Sequence, residues 1–314
     1  MYEQTGDGSE LAAEHGMDPL AAELLGLAPA GRKLNSRELL VGAVRAFAAH
    51  PLLYVIVGLG SYLPGGVIDL AYTLNGQVST NPLGFWSTRI ADTIFTSIGF
   101  AMLTHLTFDV VEGRDVSLGA YMKPGLSDAF SAFSVQLQSG ILIVLSAIPG
   151  AILVLIGLSG GGLVAVLLDV LGGVLVFVAS VYVYLGYSLA LPAYIDSSRS
   201  HRKPPSQALR RSWSLVKHRR GRLFLAFAGL NLVLFVVACL GLIPVGVAGV
   251  FGETNAATGM GEISATSQVF LTVWGVICQA AWAVGGVLLS TVAYSQLGSR
   301  PRGVDVESMV EVFS

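Results

Sequence analysis

Six long apolar runs divide the chain, at roughly 51–74, 86–111, 137–158, 163–194, 221–250 and 267–297. Crossing the ~30 Å hydrocarbon core of a bilayer takes about 20 apolar residues of helix, so each run predicts one transmembrane helix. The first is interrupted by "GLGSYLPGG", which leaves a re-entrant segment as the alternative there. Composition agrees. The chain is 53% hydrophobic and 12% charged, against about 25% charged in soluble domains. That is too little polar surface to cover a water-facing globule. The expected fold is all-α and polytopic: an acidic tail over 1–34, a six-helix membrane domain over 35–297 and a second tail over 298–314.

The placement of charge predicts an orientation. Connections near 75–85, 159–162 and 251–266 hold no Lys or Arg. The opposite connections and the tails hold all of the 18 Lys and Arg residues except Arg89. Positive residues stay on the cytoplasmic side, so both termini are expected inside, which an even number of spans requires. Residues 1–30 carry six acidic residues and no Lys or Arg. That is unlike a secretory signal, so the chain is expected to remain whole in a bacterial cytoplasmic membrane. Asp18-Pro19 reads as the start of a short helix in this tail.

The cytoplasmic connections share a plan. An amphipathic helix is expected before each odd-numbered span: "NSRELLVGAVRAFAAH", with Asn35 and Glu38 in capping-box spacing, "SLGAYMKPGLSDAFSAF", and "SQALRRSWSLVKHRR". The triplets Arg45-Ala46-Phe47, Asp128-Ala129-Phe130 and Arg211-Ser212-Trp213 recur at equal spacing, and Pro64, Pro149 and Pro244 fall in the spans that follow. Proline removes a backbone donor and kinks a helix. The arrangement suggests one unit used three times: surface helix, kinked span, return span.

The third surface helix is the most basic. Leu209, Trp213 and Val216 share one face by spacing, while Arg210, Arg211 and Lys217 fall mainly on the other and Arg219 and Arg220 follow. Such a helix is expected to lie flat in the interface with Trp213 at headgroup level. Each Lys or Arg beside an anionic leaflet contributes about 1 kcal/mol. The bland reading is a topology signal alone. The sharper one is that Arg210, Arg211, Trp213, Lys217, Arg219 and Arg220 hold anionic lipid headgroups, with a protein partner or a second copy as the other occupant. Nucleic acid is not expected on a patch lying in the membrane plane.

The run "LALPAYIDSSRSHRKPPSQALRRSWSLVKHRRGRLF", with "VEGRDVSLGAYM" and the tail "VAYSQLGSRPRGVDVESMV", resembles the membrane domain of glycerophosphoryl diester phosphodiesterases and the related bacterial YciC-like membrane proteins. Ala208, Leu209, Arg211, Ser212, Trp213, Leu215, Val216 and Lys217 carry the family-like helix. Gly298 stands where the family usually has Arg. The resemblance spans most of 36–310 and implies a six-helix membrane domain. It implies no phosphodiesterase activity, because the fused members keep catalysis in a separate barrel.

Ionisable groups inside a membrane are costly and so are default functional candidates. Asp69, Arg89, Asp92 and Asp169 all fall toward the outer ends of their spans. Arg89 is expected to pair with Asp69 or Asp169, as a structural ion pair near the outer interface, with a substrate or proton site in an outward cavity as the alternative. Arg89, Asp92, Thr93, Thr96, Thr104 and Thr107 form a stripe expected to face other helices. Asn231 and Gln279, both near mid-depth, are expected to bond to each other. His105, Asp109 and Glu112 share a face but lack the further ligands a metal needs. Cys239 and Cys278 lie in apolar runs and read as packing residues. No cofactor is implied and no catalytic constellation is visible. The leading expectation is a non-enzymatic scaffold or accessory protein that contacts lipid or partners. The alternatives are a small permease using the outer polar cluster, or an intramembrane enzyme acting on lipid.

Overall fold

The computed structural model describes residues 35–74, 82–160, 162–200, 204–217, 219–251 and 265–298. The predicted helix start at Asp18-Pro19 lies outside them. All regular structure among the described residues is helical: α1 Ser36–Ala49, α2 Pro51–Leu74, α3 Pro82–Val111, α4 Leu118–Ser159, α5 Leu163–Tyr187, α6 Ala190–Ser200, α7 Pro205–Val216, α8 Arg220–Phe251 and α9 Ala265–Gly298. Among the described residues six stretches are long and apolar enough to cross a bilayer: Pro51–Tyr72, Trp86–Val111, Leu118–Ser159, Val164–Ser197, Arg220–Ile243 and Val269–Leu297. The protein is an all-α polytopic membrane protein.

Local chemistry explains most boundaries. Asn35 caps α1, its side chain accepting a hydrogen bond from the Arg37 amide at 3.1 Å. Pro51 disfavours helical geometry at His50, so α1 and α2 are separate helices. The "GLGSYLPGG" run does not break the first span, because α2 continues through Pro64.

Two boundaries differ from expectation. The second surface helix and the third span are one 42-residue helix containing Pro124 and Pro149. At 1.5 Å per residue it is about 63 Å long, twice the thickness of the hydrocarbon core. No proline or glycine lies between Gly125 and Gly140, so nothing in that stretch stops the helix. The fourth span, in contrast, is interrupted at Ser188–Leu189 between α5 and α6.

The proposed first and third repeat units share one feature of burial. There the middle residue of the triplet, Ala46 or Ser212, is buried. In the second unit Asp128 is buried instead and Phe130 is 79% exposed, so the helix presents a face rotated by one residue.

α3 and α9 form the centre. α2 packs on both, α4 packs on α3, α5 packs on α4, and α8 packs on α9. The largest buried cluster joins Leu39, Ala132, Val135, Leu189, Ile195, Val216, Leu223, Leu289 and Ala293. It draws on α1, α6 and α7, so these short helices close one end of the bundle. Along the rest of α4, Ile141, Val144, Ile148, Ile152 and Leu155 are exposed on one face. In water such a strip would be a large apolar patch; in a bilayer it is the surface that lipid covers.

Candidate functional site

The basic end is built around α7. Its buried face is Ala208, Leu209, Ser212 and Val216, which corrects the expected Leu209–Trp213–Val216 face. Ser212 is the key to its seat. Its hydroxyl donates to the Gly186 carbonyl at 2.8 Å and accepts from the Leu189 amide at 3.2 Å. Those are backbone groups at the break between α5 and α6, which would otherwise lack helical partners. A side chain of α7 thus repairs that interruption.

Trp213 is drawn into the fold rather than left at a free surface. Its ring lies 5.8 Å from Tyr182 and 5.3 Å from Tyr187. It packs on Gly186, where a Cβ would collide with the indole. The Arg220 guanidinium sits 3.8 Å from the Tyr182 ring centroid and 4.2 Å from that of Trp213. A cation between two aromatic faces is stabilised by about 2 kcal/mol when desolvated. Arg211 also turns inward, 3.4 Å from Asp196 and 5.2 Å over the Tyr294 ring. Tyr294 donates to the same Asp196 oxygen at 2.6 Å.

The six basic-helix candidates therefore divide. Arg211, Trp213 and Arg220 anchor α7 and the start of α8 to the bundle. Arg210 and Lys217 are exposed, and Arg219 is half-buried. Near the same end a groove of about 460 Å³ runs between α1 and α9, lined by Asn35, Arg37, Glu38, Val41, Gly42, Arg45 and Gln296.

At the far end α2, α3 and α9 line an open groove of about 370 Å³, in which Arg89 and Gln279 are exposed. Tyr62, Asp69, Arg89, Asp92 and Gln279 all line it, with Thr88 and Thr272. Three of the four intramembrane candidates thus come together. Asp169 does not join them: its carboxylate packs on Gly157 at the α4–α5 turn, with Oδ1 buried and lacking a hydrogen-bond partner. Gly65 makes room for Asp92, whose carboxylate fills the space a Cβ would need. The Thr stripe on α3 is only partly inward. Thr104 and Thr107 are buried, whereas Thr93 is exposed and bonds back to the Arg89 carbonyl at 2.7 Å.

Other expected contacts are replaced. Asn231 accepts from the Trp282 indole at 2.6 Å, not from Gln279, because Trp282 lies one helical turn nearer on α9. His105 meets Asp128 of α4 at 3.0 Å, while Asp109 and Glu112 flank Arg114 at 3.3 and 2.6 Å. Asp109 and Glu112 thus share Arg114 while His105 meets Asp128, and among the described residues no group of three His, Cys, Asp or Glu is placed to hold a metal. Cys239 and Cys278 are free thiols. Asp196, Tyr182, Tyr187 and Tyr294 were not singled out from sequence. Tyr294 reaches Arg211 of α7 across 83 residues (294 − 211) and bonds Asp196 across 98, distances over which local spacing carries no signal.

No family model matches the chain, and no curated protein or solved structure matches it either.

Proposed function

We propose that the protein is a non-enzymatic scaffold or accessory protein of a bacterial cytoplasmic membrane, with both termini inside, and that its basic rim holds anionic lipid headgroups. The observation that carries this reading is the division of α7. Arg210 and Lys217 are exposed while Ala208, Leu209, Ser212 and Val216 are buried on the other side. A helix pinned on one face fixes the backbone positions from which its cations extend, so a headgroup meets charges all presented on the same side. Arg37 and Arg45 on α1 extend the rim. The likeness of the 208–217 segment to glycerophosphoryl diester phosphodiesterase membrane domains supports a membrane-domain role of this kind.

The test is native mass spectrometry of the full chain released from nanodiscs of equal phosphatidylglycerol and phosphatidylethanolamine. Arg210→Gln with Lys217→Gln is expected to lower the retained phosphatidylglycerol several-fold. Unchanged retention would refute the assignment. If a protein partner is lost instead and the lipid kept, the rim serves protein docking.

A further inference from the structure

We infer that the corner where α7 joins α8 beside α5 is the seat of one anionic phospholipid, its phosphate held by Lys217 and Arg219 and one acyl chain lying along Val178, Val174 and Val170 of α5. The inference rests on the proposed lipid-binding rim and names where on it a whole lipid fits.

Charge places the headgroup end. Between Asp196 and Glu253 the chain carries nine Lys or Arg residues and no Asp or Glu. Asp196 itself is engaged by Arg211 and Tyr294. Lys217 is exposed and Arg219 half-buried, and among the described residues neither has a carboxylate partner. They flank the joint, where a Cβ on Gly221 would meet nothing within 4 Å, so a headgroup has room. Trp213, Tyr182 and Tyr187 gather at the same corner, as aromatic rings do at headgroup level.

The chain end follows from what each side of α5 touches. Gly172 and Val176 meet Gly150 of α4. Residues two positions away lie about 200° around the helix, so Val170, Val174 and Val178 look away from α4. They are 60%, 55% and 55% exposed. Tyr182 continues this row at the same four-residue spacing, and Arg220 packs over its ring at 3.8 Å. The start of α8 thus covers the inner end of the row, and no described residue buries the rest. From Tyr182 to Val170 the row is ~18 Å long, close to the ~15 Å of hydrocarbon in one leaflet. On the other flank Phe224, one turn beyond Arg220, is exposed too. The row carries valines rather than the Gly, Ala, Ser or Thr through which helices pair in lipid. An acyl chain therefore suits it better than a partner helix. A lipid anchored at Lys217 and Arg219 finds an apolar strip of one chain's length starting beside it.

The test uses the full chain in nanodiscs of equal phosphatidylglycerol and phosphatidylethanolamine. One or the other lipid carries a photoreactive diazirine within its acyl chain, and labelled peptides are mapped by mass spectrometry. Label at residues 170–178 is expected to favour phosphatidylglycerol several-fold over phosphatidylethanolamine. The exposed strip Ile141–Leu155 of α4 serves as bulk lipid and is expected to show no such preference. Lys217→Gln with Arg219→Gln is expected to bring the 170–178 ratio down to that of α4; if this variant does not fold, the ratios in the parent decide alone. Equal ratios at the two strips of the parent would overturn the seat, whatever Arg210→Gln with Lys217→Gln does to total phosphatidylglycerol retention, which reports on the rim alone. Label on α4 with none at 170–178 would mean that protein covers this face, and would overturn it as well.

Discussion

Gly150 on α4 and Gly172 on α5 face each other at backbone contact. A Cβ on either would lie 2.7 Å from the carbonyl oxygen of the other. Lipid gives helices no hydrophobic reason to pair, so close backbone approach through small residues is what holds them. Gly150→Ala is therefore expected to lower stability by about 1–3 kcal/mol through overpacking, seen as a reduced unfolding midpoint in detergent. Gly173→Ala is the control. It adjoins Gly172, but its Cβ would meet nothing within 4 Å, so it is expected to be neutral or to stabilise by up to ~1 kcal/mol. Equal effects would show that the α4–α5 contact is not formed as described.

Ser212 bridges two backbone groups at the α5–α6 interruption. Ser212→Ala leaves the Leu189 amide and the Gly186 carbonyl without this partner in a buried setting, at a cost of about 1–3 kcal/mol. Ser214, two residues on, only bonds back to the Arg211 carbonyl on its own exposed turn. Ser214→Ala is expected to change the midpoint little. The pair of variants, compared by thermal unfolding, isolates the bridge from helix propensity.

Arg220 between Tyr182 and Trp213 is held by its planar cation rather than by charge alone. Arg220→Lys keeps the charge but not the stacking, so it is expected to lose most of the ~2 kcal/mol that Arg220→Gln loses. A double-mutant cycle with Tyr182→Leu measures the coupling. A coupling near zero would mean that the rings and the guanidinium are neighbours without mutual stabilisation.

His105 and Asp128 link α3 to the leading half of α4. Asp128→Ala removes the acceptor 3.0 Å from His105 Nε2 and is expected to cost about 1–3 kcal/mol. Asp128→Asn keeps an acceptor and is expected to recover part of that loss. Unfolding midpoints of the two variants check the order.

Orientation is checked by labelling. In a chain whose Cys239 and Cys278 are replaced by Ser, Arg210→Cys is expected to be shielded from a membrane-impermeant maleimide in sealed cells. Ser159→Cys, at the α4–α5 turn, is expected to react. The reverse outcome would invert the topology that the Lys and Arg distribution implies.

The six membrane-spanning helices were legible in the linear chain because each needs only a long apolar run. Local breaks were legible too where a residue imposes them, as Pro51 does between α1 and α2. The helix of 42 residues was missed because the absence of a breaker between Gly125 and Gly140 is a weaker signal than an amphipathic pattern. The three-dimensional arrangement decided the rest. It turned Arg211, Trp213 and Arg220 inward and left Arg210 and Lys217 outside, since burial on one helix depends on which distant rings lie beside it. It also gathered Asp69, Arg89 and Asp92 while sending Asp169 to another helix pair. Depth in the membrane can be counted along a sequence, but which helices are neighbours depends on side-chain fit, such as glycine against glycine at 150 and 172.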